Sequence, residues 1–428
     1  MTLFNNYLQD ISKILTENRS SSSLCFSDSR KSLESVPSIK LEEAVMEKTL
    51  ENTKNLIQIN RNELANLFGM NPFSFQSLQI GAHPDFKSLG FEDHEQYYCV
   101  SMFMDIQGST RLNEKYNLFQ IKRIKDTILT LAIYVSLYFG GHVHRLQGDG
   151  IFLQFVRKGL AECDAVINAL NTASVLTYFI STDLASIFIS EGVEPLNVRI
   201  GIDLGFEKDV LWSYYGIPNY SELTTTSLHT DLAAKLQAAA NSNEILVGEN
   251  IRTILDINEK FCEICTDSRD ENDLYIYKGS KNYKKFNFNW KNYLSSFDFI
   301  KKSSNKLLIE QPQFKLICKV KEEKHPNEIE YYQNSRAIVK GTQIKFDIMK
   351  NGYPYEKEDW ESIEWKAFNS GTEAKQANQI THNFDGRYKD LTTCYAEAAY
   401  LGHHYIRCII KSKNSKKENI LTFPIFII

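Results

Sequence analysis

Residues 97 to 110 constrain the chain most. Tyr97–Ile106 is almost wholly apolar or aromatic, which suits a strand buried on both faces. It nevertheless carries Asp105 near its end and runs straight into Gln107-Gly108-Ser109-Thr110. An ionised carboxylate at the rim of an apolar sheet is costly to desolvate unless a cation or a donor compensates it. The strand therefore needs covering layers, and its terminal carboxylate needs a partner.

The pattern downstream supplies both. Ile124, Ile128, Leu131 and Val135 share one face of a helix that Gly140-Gly141 stops. Two strand-like runs, His142–Gln147 and Ile151–Val156, flank Gly148-Asp149-Gly150 and read as a hairpin. A long helical stretch from Leu160 to Ser190 leads to a strand at Asn197–Asp203, a helix at Thr230–Ala240 and a short strand at Glu244–Val247. Asp105 and Asp149 thus stand at two neighbouring strand ends. Singly, Asp105 reads as a helix cap and Asp149 as a turn residue. Together they suit Mg²⁺ or Mn²⁺, hard cations that take oxygen ligands. Between them, the amides of Gly108, Ser109 and Thr110 open a helix and suit phosphate.

A chain of 428 residues exceeds one domain. Residues 1–90 form an N-terminal region, with a loop at Ser20–Ser23 and helical spacing from Leu41 to Phe68. Gly279–Asn292, rich in Lys, Asn and aromatics, reads as a connector. Beyond it Leu307–Val320, Gln343–Met349, Tyr405–Lys411 and Ile420–Ile428 alternate as strands, so a β-sandwich is expected over residues 300–428. A net charge of −4 disfavours a general nucleic-acid binder. Eight cysteines do not make a disulfide scaffold in this length. The opening residues lack a signal's basic and apolar regions, and Leu129–Phe139, taken as the longest apolar stretch, is about half a membrane span. The expectation is a cytoplasmic protein without a membrane partner.

The segment Phe103-Met-Asp-Ile-Gln-Gly-Ser-Thr110 resembles the first metal motif of class III nucleotide cyclases. Gly140-Gly141 through Gly148-Asp149-Gly150 resembles the hairpin that carries their second metal carboxylate, and the spacing of 44 residues is typical of them. Val198-Arg199-Ile-Gly-Ile202, and Asp231-Leu-Ala-Ala-Lys235 through Glu244-Ile-Leu-Val247, resemble two further motifs in the same order. The resemblance implies an α+β fold, a ferredoxin-like βαββαβ catalytic domain over residues 91–285, working as a head-to-tail homodimer. It implies that Asp105, Asp149 and the Ile106 carbonyl hold two Mn²⁺ or Mg²⁺ ions, that Arg199 contacts phosphate, and that Asp231 and Lys235 take the catalytic helix positions.

The departures concern the base. The purine-reading Lys is Arg145 here, its Asp partner is Thr224, and the Asn and Arg of the helix are Asp231 and Lys235. One account is decay into a non-catalytic nucleotide sensor. The other is a changed base, with Arg145 shortening the pocket toward a pyrimidine and Thr224 assisting; Tyr97 would narrow it or sit in the core. Two retained metal carboxylates argue against decay. Trp365, Asn369, Gly371-Thr-Glu-Ala374, Gly386-Arg387, Tyr400-Leu-Gly-His403 and Cys408 resemble the sensor domain attached to antiphage cyclases and nucleotidyltransferases. The combination resembles the pyrimidine cyclases of Pycsar defence, which make cyclic UMP or cyclic CMP for a separate effector. UTP is preferred on family frequency, with an adenylate or guanylate cyclase as the alternative.

Other features are discounted. Cys262-Glu-Ile-Cys265 lacks the second pair of a zinc site. His403 and His404 are adjacent on a strand and point to opposite faces. Lys411–Lys417 reads as a solvated hairpin tip, and His142 and His144 as packing or solvent-facing residues.

Overall fold

The computed structural model describes residues 67–69, 79–266, 271–272, 274–277, 281–303, 306–309, 312–323, 325, 327–358, 361–384, 388, 390–412 and 418–428. The serine loop, nearly all of the expected Leu41–Phe68 helix, Gly386-Arg387 and most of the basic run Lys411–Lys417 lie outside them.

The first unit is built on an eight-stranded sheet. Its elements are β1 (His94–Gln96), β2 (Cys99–Gln107), α1 (Leu118–Tyr138), β3 (His142–Gln147), β4 (Gly150–Phe155), α2 (Glu162–Phe179), α3 (Ala185–Ser190) and β5 (Asn197–Gly205). There follow β6 (Leu211–Ile217), β7 (Tyr220–Thr226), α4 (Leu228–Ala239), β8 (Glu244–Gly248), α5 (Glu249–Ile254), β9 (Cys262–Ile264), β10 (Leu274–Tyr277) and β11 (Lys281–Phe288). The strand order is β10-β11-β8-β5-β2-β4-β3, with β9 on β11, and β1-β6-β7 forms a separate small sheet. The run β2-α1-β3-β4-α2-β5 is the βαββαβ core expected from the sequence.

Alternation along β2 sets the layers. Val100, Met102, Met104 and Ile106 are buried, beneath α1 and α2. Asn117 and Gln120 cap α1 reciprocally, and Ile121, Ile124, Ile128, Leu131 and Val135 line its inner face. Almost every residue of α2 is buried. With the π-helical turn Ile180–Leu184 and α3 it forms one apolar helix, Glu162–Ser190. That helix is longer than the apolar stretch Leu129–Phe139. It passes the length and composition test for a membrane span, and most of it is packed inside the core.

Gly279–Asn292 is not a connector. Its residues 281–288 form β11, paired with β8, and Phe286 and Phe288 are buried in the main core. After α6 (Trp290–Leu294) come β12 (Ile300–Ser303), β13 (Lys306–Ile309), β14 (Phe314–Lys321), β15 (Ile329–Tyr331), β16 (Ala337–Ile338), β17 (Gln343–Lys350), β18 (Tyr353–Pro354), β19 (Glu361–Phe368), α7 (Thr372–Gln376), β20 (Thr381–Asn383), β21 (Thr393–Glu397), β22 (Gly402–Ser412) and β23 (Glu418–Ile427). Two five-stranded sheets, β15-β14-β17-β18 with β21 on β17, and β16-β23-β22-β19-β20, enclose a second core around Trp365, Phe346 and Phe423.

The sandwich is joined to the first unit by buried polar contacts. The Tyr293 hydroxyl donates to Asn171 Oδ1 at 2.7 Å, and Asn171 Nδ2 donates to the Asn334 carbonyl at 3.0 Å. The Ala337 amide donates to Asp164 Oδ1 at 2.8 Å. His403 contacts Phe426 and Phe261 and lies 3.1 Å from Asn334 Oδ1, so it serves the junction, whereas His404 Nδ1 accepts from the Ser370 amide within the sandwich. Cys262 is buried, and no cluster of three metal-binding side chains occurs among the described residues.

Candidate active site

The opposite face of β2 carries Ser101, Phe103 and Asp105. Strand register decides what stands beside Asp105: Gly150 of β4 on one side and Arg199 of β5 on the other. Asp149 precedes Gly150 in the hairpin turn, so the two carboxylates that the sequence singled out are neighbours across β2 and β4. A Cβ on Gly150 would come within 3.2 Å of the Met104 carbonyl and 3.7 Å of Asp105 Oδ1. Glycine keeps that space open beside the carboxylate.

Protein cations partly compensate both groups. Arg199 donates from Nε and Nη2 to Asp105 Oδ2, at 3.0 and 2.8 Å. Lys125 of α1, which the sequence reading did not single out, stands 3.7 Å from Asp149 Oδ1. Each contact uses one carboxylate oxygen and leaves the other available. Arg199 thus sits on Asp105 instead of facing an open phosphate position, and its Nη1 reaches the Ala238 carbonyl at 3.3 Å. The Ile106 side chain is buried on the far face of β2.

Gly108 follows β2 with φ +71°, a conformation that favours glycine. It opens a single 3₁₀ turn, Ser109–Glu114, in which Ser109 is buried and Thr110 exposed. On the same sheet face α4 lies against β5 at Gly201, where an added Cβ would meet the Ala233 oxygen and the Gln237 nitrogen at 2.2 Å. Asp231 and Lys235 are exposed on α4. The Thr230 hydroxyl meets Ser101 at 2.9 Å, which orients the start of the helix over β2.

The expected base-reading residues come from β3 and β7. A bulge between Val143 and Arg145 re-aims β3 against β4, and puts Arg145 opposite Phe152. Arg145 Nε donates to Glu222 Oε1 at 3.0 Å, and its Nη2 bonds Glu222 Oε2. Glu222 is two residues from Thr224 on β7, so the two share a strand face and Arg145 is brought beside it. His144 Nε2 lies 3.4 Å from Glu222 Oε1, and burial pulls its imidazole down to about 4, so the ring is neutral at neutral pH. Tyr97 is not brought to this group. It precedes β2 at the end remote from Asp105, packs on Phe86 and Tyr98, and points its hydroxyl at the Arg157 carbonyl. Eight residues of extended chain separate it from Asp105 by roughly 26 Å.

Glu222 went unnoticed because the β6–β7 hairpin did. Its strands mix polar and aromatic residues, but Pro218-Asn219 between them, with Asn219 at φ +69°, is a turn signal.

Comparison with known proteins gives these contacts a context. A cytidylate cyclase from Staphylococcus aureus is 37% identical over 384 residues, covering 88% of this chain and 89% of its own. The chain belongs to the cytidylate cyclase family. A second member, from Escherichia coli, is 34% identical over 299 residues, covering 66% of this chain and 62% of its own. Residues 288–418 match the adenylyl/guanylyl and SMODS C-terminal sensor domain. A solved adenylyl cyclase from P. aeruginosa aligns over 46% of this chain and 95% of its own, at a TM-score of 0.38 and 17% identity.

The cyclase family implies a divalent cation, and the residues fit one. Asp105 and Asp149 offer an oxygen-only donor set with one uncommitted oxygen each, beside the space that Gly150 leaves open. Two carboxylates without a third metal-binding side chain among the described residues suit a cation that completes its shell with backbone carbonyl, water and substrate phosphate.

Proposed function

We propose that the chain is a pyrimidine nucleotide cyclase that converts CTP to 3′,5′-cyclic CMP and pyrophosphate. The observation that carries the reading is the pairing of Asp105 with Gly150 across β2 and β4, which puts Asp149 beside it at the end of an otherwise apolar sheet. The name shared by the relatives favours CTP over UTP, which was preferred on family frequency alone.

In the reaction the 3′-oxygen attacks the α-phosphorus, the bond from that phosphorus to the bridging oxygen breaks, and the 3′-hydroxyl proton passes to solvent. Asp105 and Asp149 would hold a divalent cation, which when bound would supply Lewis-acid stabilisation of developing negative charge. Arg199 holds Asp105 in place through its two hydrogen bonds to Oδ2 and would supply positive charge beside the substrate phosphates. The amides of Gly108, Ser109 and Thr110 cover the triphosphate. Asp231 and Lys235 on α4 orient the ribose and stabilise charge on the phosphoryl oxygens. Arg145 and Thr224 face the base.

Phe103, partly exposed and stacked on the buried Phe152 with centroids 4.2 Å apart, supports a homodimer that covers this part of the face. The sensor-domain match supports a role in antiphage signalling, with the cyclic nucleotide acting on a separate effector.

The test is incubation of the purified chain with Mn²⁺ and each of ATP, GTP, CTP and UTP, with products identified by mass. A cyclic pyrimidine nucleotide as the main product is expected. Cyclic AMP or cyclic GMP as the main product overturns the pyrimidine assignment. Nucleotide binding without any pyrophosphate release favours the non-catalytic sensor.

A further inference from the structure

We propose that Glu222 selects cytosine, by accepting a hydrogen bond from its 4-amino group. The inference rests on Arg145 facing the base and adds the residue that decides between the two pyrimidines. Cytosine and uracil differ on their pairing edge at two positions. Cytosine presents acceptors at O2 and N3 and an amino donor at C4, whereas uracil presents a donor at N3 and an acceptor at O4.

The Arg145–Glu222 pair has the polarity complementary to cytosine. Arg145 uses Nε and one Nη2 hydrogen on the carboxylate, so both Nη1 hydrogens and the second Nη2 hydrogen remain for acceptors. Glu222 keeps lone pairs on both oxygens, and its side chain is 38% exposed against 46% for Arg145. The fork therefore offers donors beside an acceptor on one accessible edge. Carboxylates accept from the cytosine amino group in base readout generally. Uracil in the same pose sets O4 against a carboxylate oxygen and N3–H against a guanidinium N–H. That repulsion is a rejecting element, and rejection of this kind discriminates more strongly than a missing methylene does.

Two neighbours support the polarity. His144 is held neutral by burial, so it adds no positive charge that would cancel Glu222. The bidentate contact also fixes Arg145, a long side chain that would otherwise sample many rotamers. Adenine carries the same acceptor-then-amino order at N1 and N6. The fork thus separates amino bases from keto bases. Any residual purine turnover should accordingly fall on ATP and not on GTP.

The experiment measures kcat/KM of the full chain with Mn²⁺ for CTP, UTP and the triphosphate of 2-pyrimidinone riboside, which is cytidine without its 4-amino group. Wild type and Glu222→Gln are compared. The expected result is a wild-type preference for CTP over both competitors of roughly ten- to hundredfold, the discrimination of a good base contact. Glu222→Gln should lose at least tenfold of that preference while still turning over UTP, which also reports that it is folded. An unchanged CTP/UTP ratio in the variant, or a wild type that prefers UTP, overturns the proposal. If a chain makes no product, equilibrium binding of the same nucleotides with Mn²⁺ provides the ratio. A CTP preference that Glu222→Gln abolishes, in a chain releasing no pyrophosphate, upholds Glu222 and overturns the cyclase reading alone. A binding preference that survives in Glu222→Gln overturns Glu222.

Discussion

Substituting alanine for Gly201 tests how closely the catalytic helix is seated. The added methyl would lie 2.2 Å from the Ala233 oxygen and the Gln237 nitrogen and 2.8 Å from Gln237 Cα, all backbone atoms of α4. Ordinary contact begins near 3.4 Å, so the helix has to retreat by about 1.2 Å along the stretch that contains Lys235. Overpacking of this kind costs about 1–3 kcal/mol. In a unit of this size that lowers Tm by roughly 2–4 °C per kcal/mol. A displacement near 1 Å at a catalytic group costs about a hundredfold in rate. Gly201→Ala is therefore expected to melt several degrees lower and to lose about two orders of magnitude in cyclase rate, read by thermal melting and by pyrophosphate release. A variant within 1 °C and threefold of wild type, on the order of measurement scatter, would refute the seating of α4 and its part in the site.

Two further outcomes follow from buried polar groups. Asn171→Ala removes the partner of the Tyr293 hydroxyl and the Asn334 carbonyl at the junction, and should cost roughly 2–5 kcal/mol, with a Tm near wild type contradicting the contact. Burial lowers His83 and His403 to about 3 and His144 and His404 to about 4, from 6.5. These rings fold neutral, so their contribution is complete above about 6.5 and is lost as pH falls, by roughly 1.4 kcal/mol per pH unit for each ring. Burial also raises the carboxyls of Asp164, Asp203, Asp183 and Asp298, the last two to about 6, which acts in the opposite sense, but they are outnumbered by five lowered histidines, His142 among them. A melting series from pH 7 to pH 5 should therefore show Tm falling, and a flat or rising series would contradict the burial of the histidines.

Much of the first unit was legible in the sequence because its signals are strong. The strand at β2 is nearly all apolar, the hairpin turn is marked by Gly148-Asp149-Gly150, and α1 and α4 show helical spacing with clear stops. Both carboxylates could be read because a charge at the end of an apolar strand demands an explanation. What could not be read depends on who pairs with whom. The β11 strand looked like a connector because its alternation of Lys, Asn and Phe becomes meaningful only once β8 covers its backbone. Arg199 was expected on phosphate, yet its cross-strand partner is Asp105, a relation set by register. Arg145 was identified, but Glu222 is 77 residues away and meets it only through the β3 bulge and the unread β6–β7 hairpin. Tyr97 was weighed as a residue narrowing the pocket, but the length of strand between it and Asp105 keeps it away.

The central claim is that Asp105 and Asp149 form one metal-dependent site for closing the nucleotide ring. It is tested most directly by following pyrophosphate release and cyclic product from CTP with Mn²⁺, for wild type and Asp149→Asn in parallel, with a melting curve for each. Wild type should release pyrophosphate and cyclic CMP in equal amounts, and the variant should release neither while melting within a few degrees of wild type. Turnover by a folded Asp149→Asn chain at a rate near wild type would contradict the account.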